Sequence, residues 1–266
     1  MNKDTKLLFF DIDGTLITED ERRLFPESAK AAIRRARELG HLVFINTGRV
    51  FANIEDNIKD AGFDGYVCGC GTNIIYHDRD LFHNTLSKDL CRQVAYKCRE
   101  LKFYGLFEHR DRTCIDVQIG QHPLHSQMVE YFSKNGRELV TDIEDINFLF
   151  DKFSAWYDNE ENVPEMKGFL ELWFDYIDRE GSFCEIVPKG FSKATGIKYL
   201  LDYFDLPLEN AYAFGDGNND APMLLYVKNS VLMKKGPENL KKQVMLVTED
   251  VEQDGIFNAM KKLEII

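Results

Sequence analysis

Asp11 and Asp13 stand one residue apart in Asp11-Ile12-Asp13-Gly14-Thr15, directly after the apolar run Leu7-Leu8-Phe9-Phe10. Side chains alternate faces along a strand, so both carboxylates can approach one point only where the strand stops and the backbone curls. Gly14 permits that curl, and Thr15 adds a hydroxyl and an N–H to the same loop. Like charges this close raise each other's pKa unless a cation sits between them. The economical reading is a magnesium site with a nucleophilic aspartate.

Three further segments offer matching chemistry. Thr47-Gly48-Arg49 supplies a hydroxyl at a predicted helix start, Lys193 a cation at the start of another helix, and Gly215-Asp216-Gly217-Asn218-Asn219-Asp220 more carboxylates. Taken singly, each has an ordinary structural explanation. Asp, Asn and Gly favour turns, Thr-Gly is a common helix start, and a lone lysine is usually a solvated charge. Together, in order and each at a strand end or helix start, they form a set. In open parallel sheets ligands bind outside the carboxyl ends of the strands, which is where the Asp11, Thr47 and Asp216 loops are expected.

The elements that must hold these loops follow from the pattern. Pro26 is expected in the first helical turn of a helix that Ala29–Leu39 continues and Gly40 closes. A buried strand is expected over His41–Asn46, then a second helix through about Ala61, then a strand around Tyr66–Cys68 and a hairpin spanning Ile74–His83. Alternating strands and helices with short loops imply parallel pairing. Between Asn84 and Pro188 the texture changes: predicted helices at Lys88–Leu101, His125–Lys134 and Val163–Tyr176 are interleaved with strands around Phe103–Phe107, Cys114–Gln118 and Phe153–Tyr157. After Pro188 the first texture returns, with a helix over Ser192–Phe204 and a strand at Ala211–Phe214. The expected architecture is α/β: a Rossmann-like parallel-sheet core from residues 1–84 and 189–266, split by an inserted α+β domain over 85–188.

Composition narrows the partners. With 266 residues, 44% hydrophobic and 29% charged, the chain has the make-up of an ordinary globular protein. A formal charge of −12 argues against a nucleic-acid or anionic-membrane binder, which needs a basic face. It leaves an anionic substrate open, since a local cation reverses the field inside one cleft. The six cysteines form no C-x-x-C, and no histidine pair stands at zinc-ligand spacing. They read as free buried thiols of a reducing compartment. Residues 1–6 lead into a strand without a signal-like apolar stretch, and no run reaches the roughly 18 apolar residues of a membrane span. A cytoplasmic location is expected.

In order, Asp11-Ile12-Asp13-Gly14-Thr15, Thr47-Gly48-Arg49, Lys193 within Lys189-Gly190-Phe191-Ser192-Lys193, and Gly215–Asp220 resemble the four motifs of the haloacid dehalogenase superfamily. The resemblance is to its Cof-type branch, phosphatases with a large α+β cap between the second and third motifs. It implies that Asp11 attacks phosphorus to form an aspartyl-phosphate. Asp13 would protonate the leaving alkoxide and then deprotonate water, keeping its side chain free for protons. Magnesium would be held by the Asp11 carboxylate, the Asp13 backbone carbonyl and Asp216, with Asp220 a further ligand or the group orienting a bound water. Thr47 Oγ, the Gly48 N–H, Lys193 and Asn219 would bind the phosphoryl group. The superfamily's dehalogenases lack the second aspartate, so Asp13 implies phosphoryl transfer.

The implied substrate is a small phosphorylated metabolite, a sugar phosphate or phosphorylated cofactor, since the cap excludes larger molecules. Two other functions are open: a phosphohexomutase, which shares the motifs and needs an activating bisphosphate, and a receiver-like module, which also uses clustered aspartates, a threonine and a lysine around magnesium and is phosphorylated on Asp11 without turnover. Receiver domains have about half this length and no insert. The chain departs from the branch at Cys70-Gly71-Thr72, where an Asn-Gly-Ala is usual, and the resemblance leaves Arg49 either touching substrate or salt-bridged at the surface.

Overall fold

Leu7–Phe10 form β1 with all four side chains buried in the computed structural model, as a strand covered on both faces requires. The described residues are 2–134, 136, 138–179 and 181–266. Met1, at the head of the stretch read as leading into the first strand, lies outside them. The further strands are β2 (Leu42–Asn46), β3 (Gly65–Cys68), β4 (Asn73–Tyr76), β5 (Arg79–His83), β6 (Phe103–Glu108), β7 (Thr113–Cys114), β8 (Leu139–Val140), β9 (Lys152–Tyr157), β10 (Phe174–Arg179), β11 (Phe183–Pro188), β12 (Ala211–Gly215), β13 (Asn229–Met233) and β14 (Leu246–Thr248).

The chain divides into two compact units, one of residues 1–49, 54–82 and 191–266, the other of 50–53 and 83–190. In the first, the described strands form a sheet ordered β14-β13-β12-β1-β2-β3-β4-β5. Pairing is parallel from β14 to β3 and antiparallel between β3 and β4. Phe10 is in register with both Ile45 and Phe214, so the loops after β1, β2 and β12 leave the sheet side by side. Aromatic rings lock this centre on both faces: Phe9 stacks on Phe44 at 5.4 Å and Phe10 on Phe214 at 4.5 Å. Such pairs add about 0.5–1.5 kcal/mol beyond their burial.

Local chemistry explains the flanking helices. Glu27–Glu38 buries Ala29, Ala32, Ile33 and Ala36, one face at helical spacing, with Pro26 just outside as the N-cap. Helix Lys193–Phe204 begins with a capping box, Ser192 accepting from the Thr195 N–H while Thr195 accepts from Ser192. Gly196 lets it lie against β3, because a Cβ there would stand 2.2 Å from Val67 Cγ1.

Three expectations fail. The strand expected around Cys114–Gln118 is only Thr113–Cys114, and Val117–Ile119 is a 3-10 turn. The helix expected through Ala61 is only a 3-10 turn, Phe51–Asn53, and one helical turn, Asp56–Lys59. The Ala52 N–H donates outside any helix, to the Arg110 carbonyl at 3.0 Å. The helix expected over Val163–Tyr176 stops at Leu170, and Phe174 opens β10. There Phe174 and Tyr176 pair with Pro188 and Ile186 of β11, and β-propensity with a partner strand outweighs the helical pattern.

In the second unit the described strands are ordered β10-β11-β9-β6-β7-β8, antiparallel except between β7 and β8. Helices Lys88–Leu101 and Val163–Leu170 cover an aromatic core that includes Phe103, Phe107, Phe150, Phe153 and Phe174. Trp156 packs with Leu106, Ile115 and Phe132, whereas Trp173 is 38% exposed. Among the described residues no helix is long and apolar enough to cross a membrane.

Candidate active site

The loop after β1 curls back on itself. Leu16 and Ile17 both donate to the Ile12 carbonyl, and Gly14 donates to Ile17. Gly14 sits at φ +75°, and a Cβ there would fall 2.4 Å from Asp216 Oδ2. Glycine therefore serves both the turn and the close approach of the Asp216 carboxylate, which also accepts from Thr15 Oγ1 at 3.2 Å.

Lys193 joins the outer motifs. Its ammonium donates to Asp11 Oδ1 and to Asp220 Oδ1, both at 2.5 Å, and all three side chains are buried. The other oxygen of Asp220 accepts from the backbone N–H groups of Asp216 and Gly217. Asp220 thus braces its own loop as well as the lysine. Asn46, at the end of β2, donates to the Lys193 carbonyl at 2.9 Å and ties that helix start to the central sheet.

Three carboxylates here face one ammonium. One oxygen each of Asp11, Asp216 and Asp220 lies within 4.8 Å of the others. Burial, then the charge of Asp220, pushes Asp11 up to about 7. Burial, then Asp220 and Asp11, pushes Asp216 up to about 8. Burial opposes the charge on Lys193, but Asp11 and Asp220 outweigh it and hold the ammonium above the usual lysine range. Buried, mutually repelling oxygen donors fit a small hard divalent cation, which would remove the repulsion that raises both pKa values.

Asp13 is engaged rather than free. Arg49 Nε donates to Oδ2 at 2.9 Å and Arg49 Nη2 to Oδ1 at 2.5 Å, while Arg23 Nη2 reaches Oδ1 at 3.1 Å. Glu55 pairs with both arginines, at 2.7 Å to Arg23 and 2.6 Å to Arg49. Burial opposes the Arg49 charge, and Asp13 and Glu55 more than offset it. Arg23, at φ +44°, and Glu55 carried no motif signal. Arg49, left open between two roles, here salt-bridges the second aspartate of the first motif.

The remaining predicted residues fall on the neighbouring loops. Thr47 is buried, and its Oγ1 accepts from the Arg49 N–H at 3.2 Å. Thr47 lies in a loop and Gly48 in a bend ahead of a 3-10 turn, so the helix start expected there is absent. Asn219 is exposed on the Asp216 loop. Cys70 takes the left-handed conformation, φ 57° and ψ 37°, and its N–H donates to the Thr47 carbonyl at 3.1 Å. Asn73 does not stand in for the missing asparagine, because its amide is bonded to Asp80 and the Phe82 carbonyl in the β4–β5 hairpin. All six cysteines are free.

The profile of the haloacid dehalogenase-like hydrolases matches residues 8–260. YkrA of Bacillus subtilis is 28% identical over 99% of both chains. The 5-amino-6-(5-phospho-D-ribitylamino)uracil phosphatase YitU of the same organism is 25% identical over 96% of both. The HAD subclass IIB sugar phosphatase BT4131 superposes with a TM-score of 0.83 at 27% identity, over 98% of this chain and 100% of that one. A family match spanning nearly the whole sequence, with the motif loops gathered at one end of one sheet, settles the lineage: the chain belongs to the haloacid dehalogenase-like hydrolases, among their Cof-type phosphatases.

Proposed function

We propose that the protein is a magnesium-dependent phosphatase of small phosphorylated metabolites, sugar phosphates or phosphorylated cofactors, acting through an aspartyl-phosphate on Asp11. The observation that carries this reading is the cluster of buried Asp11 and Asp220 with half-buried Asp216, whose negative charge one Lys193 ammonium does not balance. The substrate class is supported by the likeness to YitU, a 5-amino-6-(5-phospho-D-ribitylamino)uracil phosphatase, and to BT4131, a sugar phosphatase.

Magnesium, held by the Asp11 carboxylate, the Asp13 backbone carbonyl and Asp216 with Asp220 in support, would supply positive charge beside the phosphoryl oxygens. An Asp11 oxygen attacks phosphorus as the bond to the ester oxygen breaks, and Asp13 gives its proton to the departing alkoxide. Water then attacks the aspartyl-phosphate, Asp13 takes a proton from it, and the Asp11–phosphorus bond breaks to release phosphate. Lys193 offsets charge on the transferring group, and Thr47 Oγ, the Gly48 N–H and Asn219 bind its oxygens. For either proton transfer, one Asp13 oxygen must exchange an arginine N–H for the ester oxygen or water.

The test is phosphate release from a panel of phosphorylated metabolites with and without magnesium. Equal release by the native protein and Asp11→Asn overturns the nucleophile. Isomer in place of free phosphate would identify a mutase.

A further inference from the structure

Beyond that chemistry, the second unit holds its own cluster of metal-ligand residue types. His83 ends β5, His109 directly follows β6, and Asp151 directly precedes β9. One ring nitrogen of each histidine and one oxygen of Asp151 lie within 4.8 Å of one another. The side chains are 16%, 12% and 2% exposed, respectively.

Each donor is held in place. Asp151 Oδ2 accepts from the Arg110 N–H at 3.0 Å, and Oδ1 lies 2.8 Å from His83 Nε2. His109 Nδ1 lies 2.6 Å from Asp111 Oδ1. A carboxylate oxygen set against Nδ1 takes its hydrogen bond from that nitrogen, which leaves the lone pair of the neutral ring on Nε2. A carboxylate behind the far nitrogen is how metal-binding imidazoles are commonly oriented and made more basic.

We propose that His83, His109 and Asp151 form a binding site for a late first-row divalent cation of the zinc class, built from the second unit alone. Two imidazoles and one carboxylate suit zinc, with water in the fourth position, and suit magnesium poorly because it prefers oxygen donors. Metal–ligand bonds of about 2.0–2.2 Å place neighbouring donors about 3.4 Å apart, so His83 and Asp151 must part slightly from their 2.8 Å contact, and all three donors already lie within 4.8 Å of one another. The metal takes the place of the proton between His83 and Asp151, and the neutral His83 imidazole carries its proton on the other ring nitrogen instead. Its structural effect is to join three distant parts of the sequence at one corner. The segment 50–53 is anchored at that corner too, Ala52 N donating to the Arg110 carbonyl at 3.0 Å and Asn53 to Glu108 at 3.2 Å.

The test uses the full chain, stripped with a chelator and returned to excess magnesium so that the Asp11 cluster is supplied with its own ion. Zinc is then titrated and followed by native mass spectrometry and thermal denaturation, with cobalt(II) absorption as a report on imidazole ligation. The expected result is one zinc per chain, with a zinc-dependent rise in Tm and a low-coordinate cobalt spectrum. His109→Gln and His83→Gln should each weaken zinc at least about tenfold, while Asp216→Asn leaves it unchanged. Asp151→Asn, which keeps the shape of the buried group, should also weaken zinc. Absence of zinc uptake overturns the site, as does uptake unaffected by the histidine variants. Uptake lost in Asp216→Asn would place the zinc at the Asp11 cluster and likewise overturn it.

Discussion

Arg49 holds both carboxylate oxygens of Asp13, Nε on Oδ2 at 2.9 Å and Nη2 on Oδ1 at 2.5 Å. A planar guanidinium fixes the plane of the carboxylate as well as its position. Lysine keeps the charge and loses the fork. A charge-assisted hydrogen bond contributes about 1.5–3 kcal/mol, so Arg49→Lys is expected to lower kcat by about tenfold or more. Asp13→Asn is expected to lower it by about 10²–10⁴. Steady-state phosphate release checks both, and an unchanged kcat in Arg49→Lys would refute the positioning role.

Gly14→Ala tests the approach of the first and last motifs. Its Cβ would stand 2.4 Å from Asp216 Oδ2, on a backbone at φ +75°. Left-handed backbone costs a residue with a Cβ about 1–2 kcal/mol, and Asp216 must also move. Calorimetry should show weaker magnesium binding together with a lower denaturation midpoint.

The pH dependence of stability follows from Asp11, raised to about 7, and Asp216, raised to about 8. Between the ordinary carboxylate range near 4 and those values, the metal-free native state binds more protons than the unfolded chain. Its stability therefore falls as pH rises across this window. His41 and His125, lowered chiefly by burial, act oppositely near their ordinary pKa. Comparison with and without magnesium isolates the carboxylates. Urea midpoints at pH 5 and pH 8 should show magnesium stabilising the protein far more at pH 8.

The motif loops were legible because each packs its chemistry into a few consecutive residues. Asp11-Ile12-Asp13-Gly14-Thr15 states its turn, its carboxylates and its preceding strand within nine positions. What joins distant segments was not legible. No local pattern ties Arg23 and Glu55 to Asp13, and His83, His109 and Asp151 meet only because strand ends meet. The 47–61 stretch reads as helix by composition, yet Ala52 and Asn53 bond outside it. Periodicity does not report such partners.

Gly196 shows the same limit in a form that can be measured. Glycine inside a helix usually costs about 1 kcal/mol against alanine, which would make Gly196→Ala stabilising. Its Cβ would instead stand 2.2 Å from Val67 Cγ1. Overpacking costs about 1–3 kcal/mol, so the variant is expected to unfold at lower denaturant, checked by equilibrium unfolding.

Cys70 offers the reverse case. Its backbone is left-handed, a conformation asparagine adopts more readily. Cys70→Asn is expected to raise stability by about 1 kcal/mol, read from the same denaturation curves.

The sheet order has a consequence for synthesis. β1 lies between β2 and β12, and Thr15 and Asp216 are 201 positions apart. As the chain leaves the ribosome, one edge of the nucleophile's strand waits while the whole insert is made. Until then a fully apolar strand has an open edge, a template for unwanted pairing. The nucleophile's strand is thus sheltered on both edges only once β12 has been made, and aggregation of nascent chains should concentrate there.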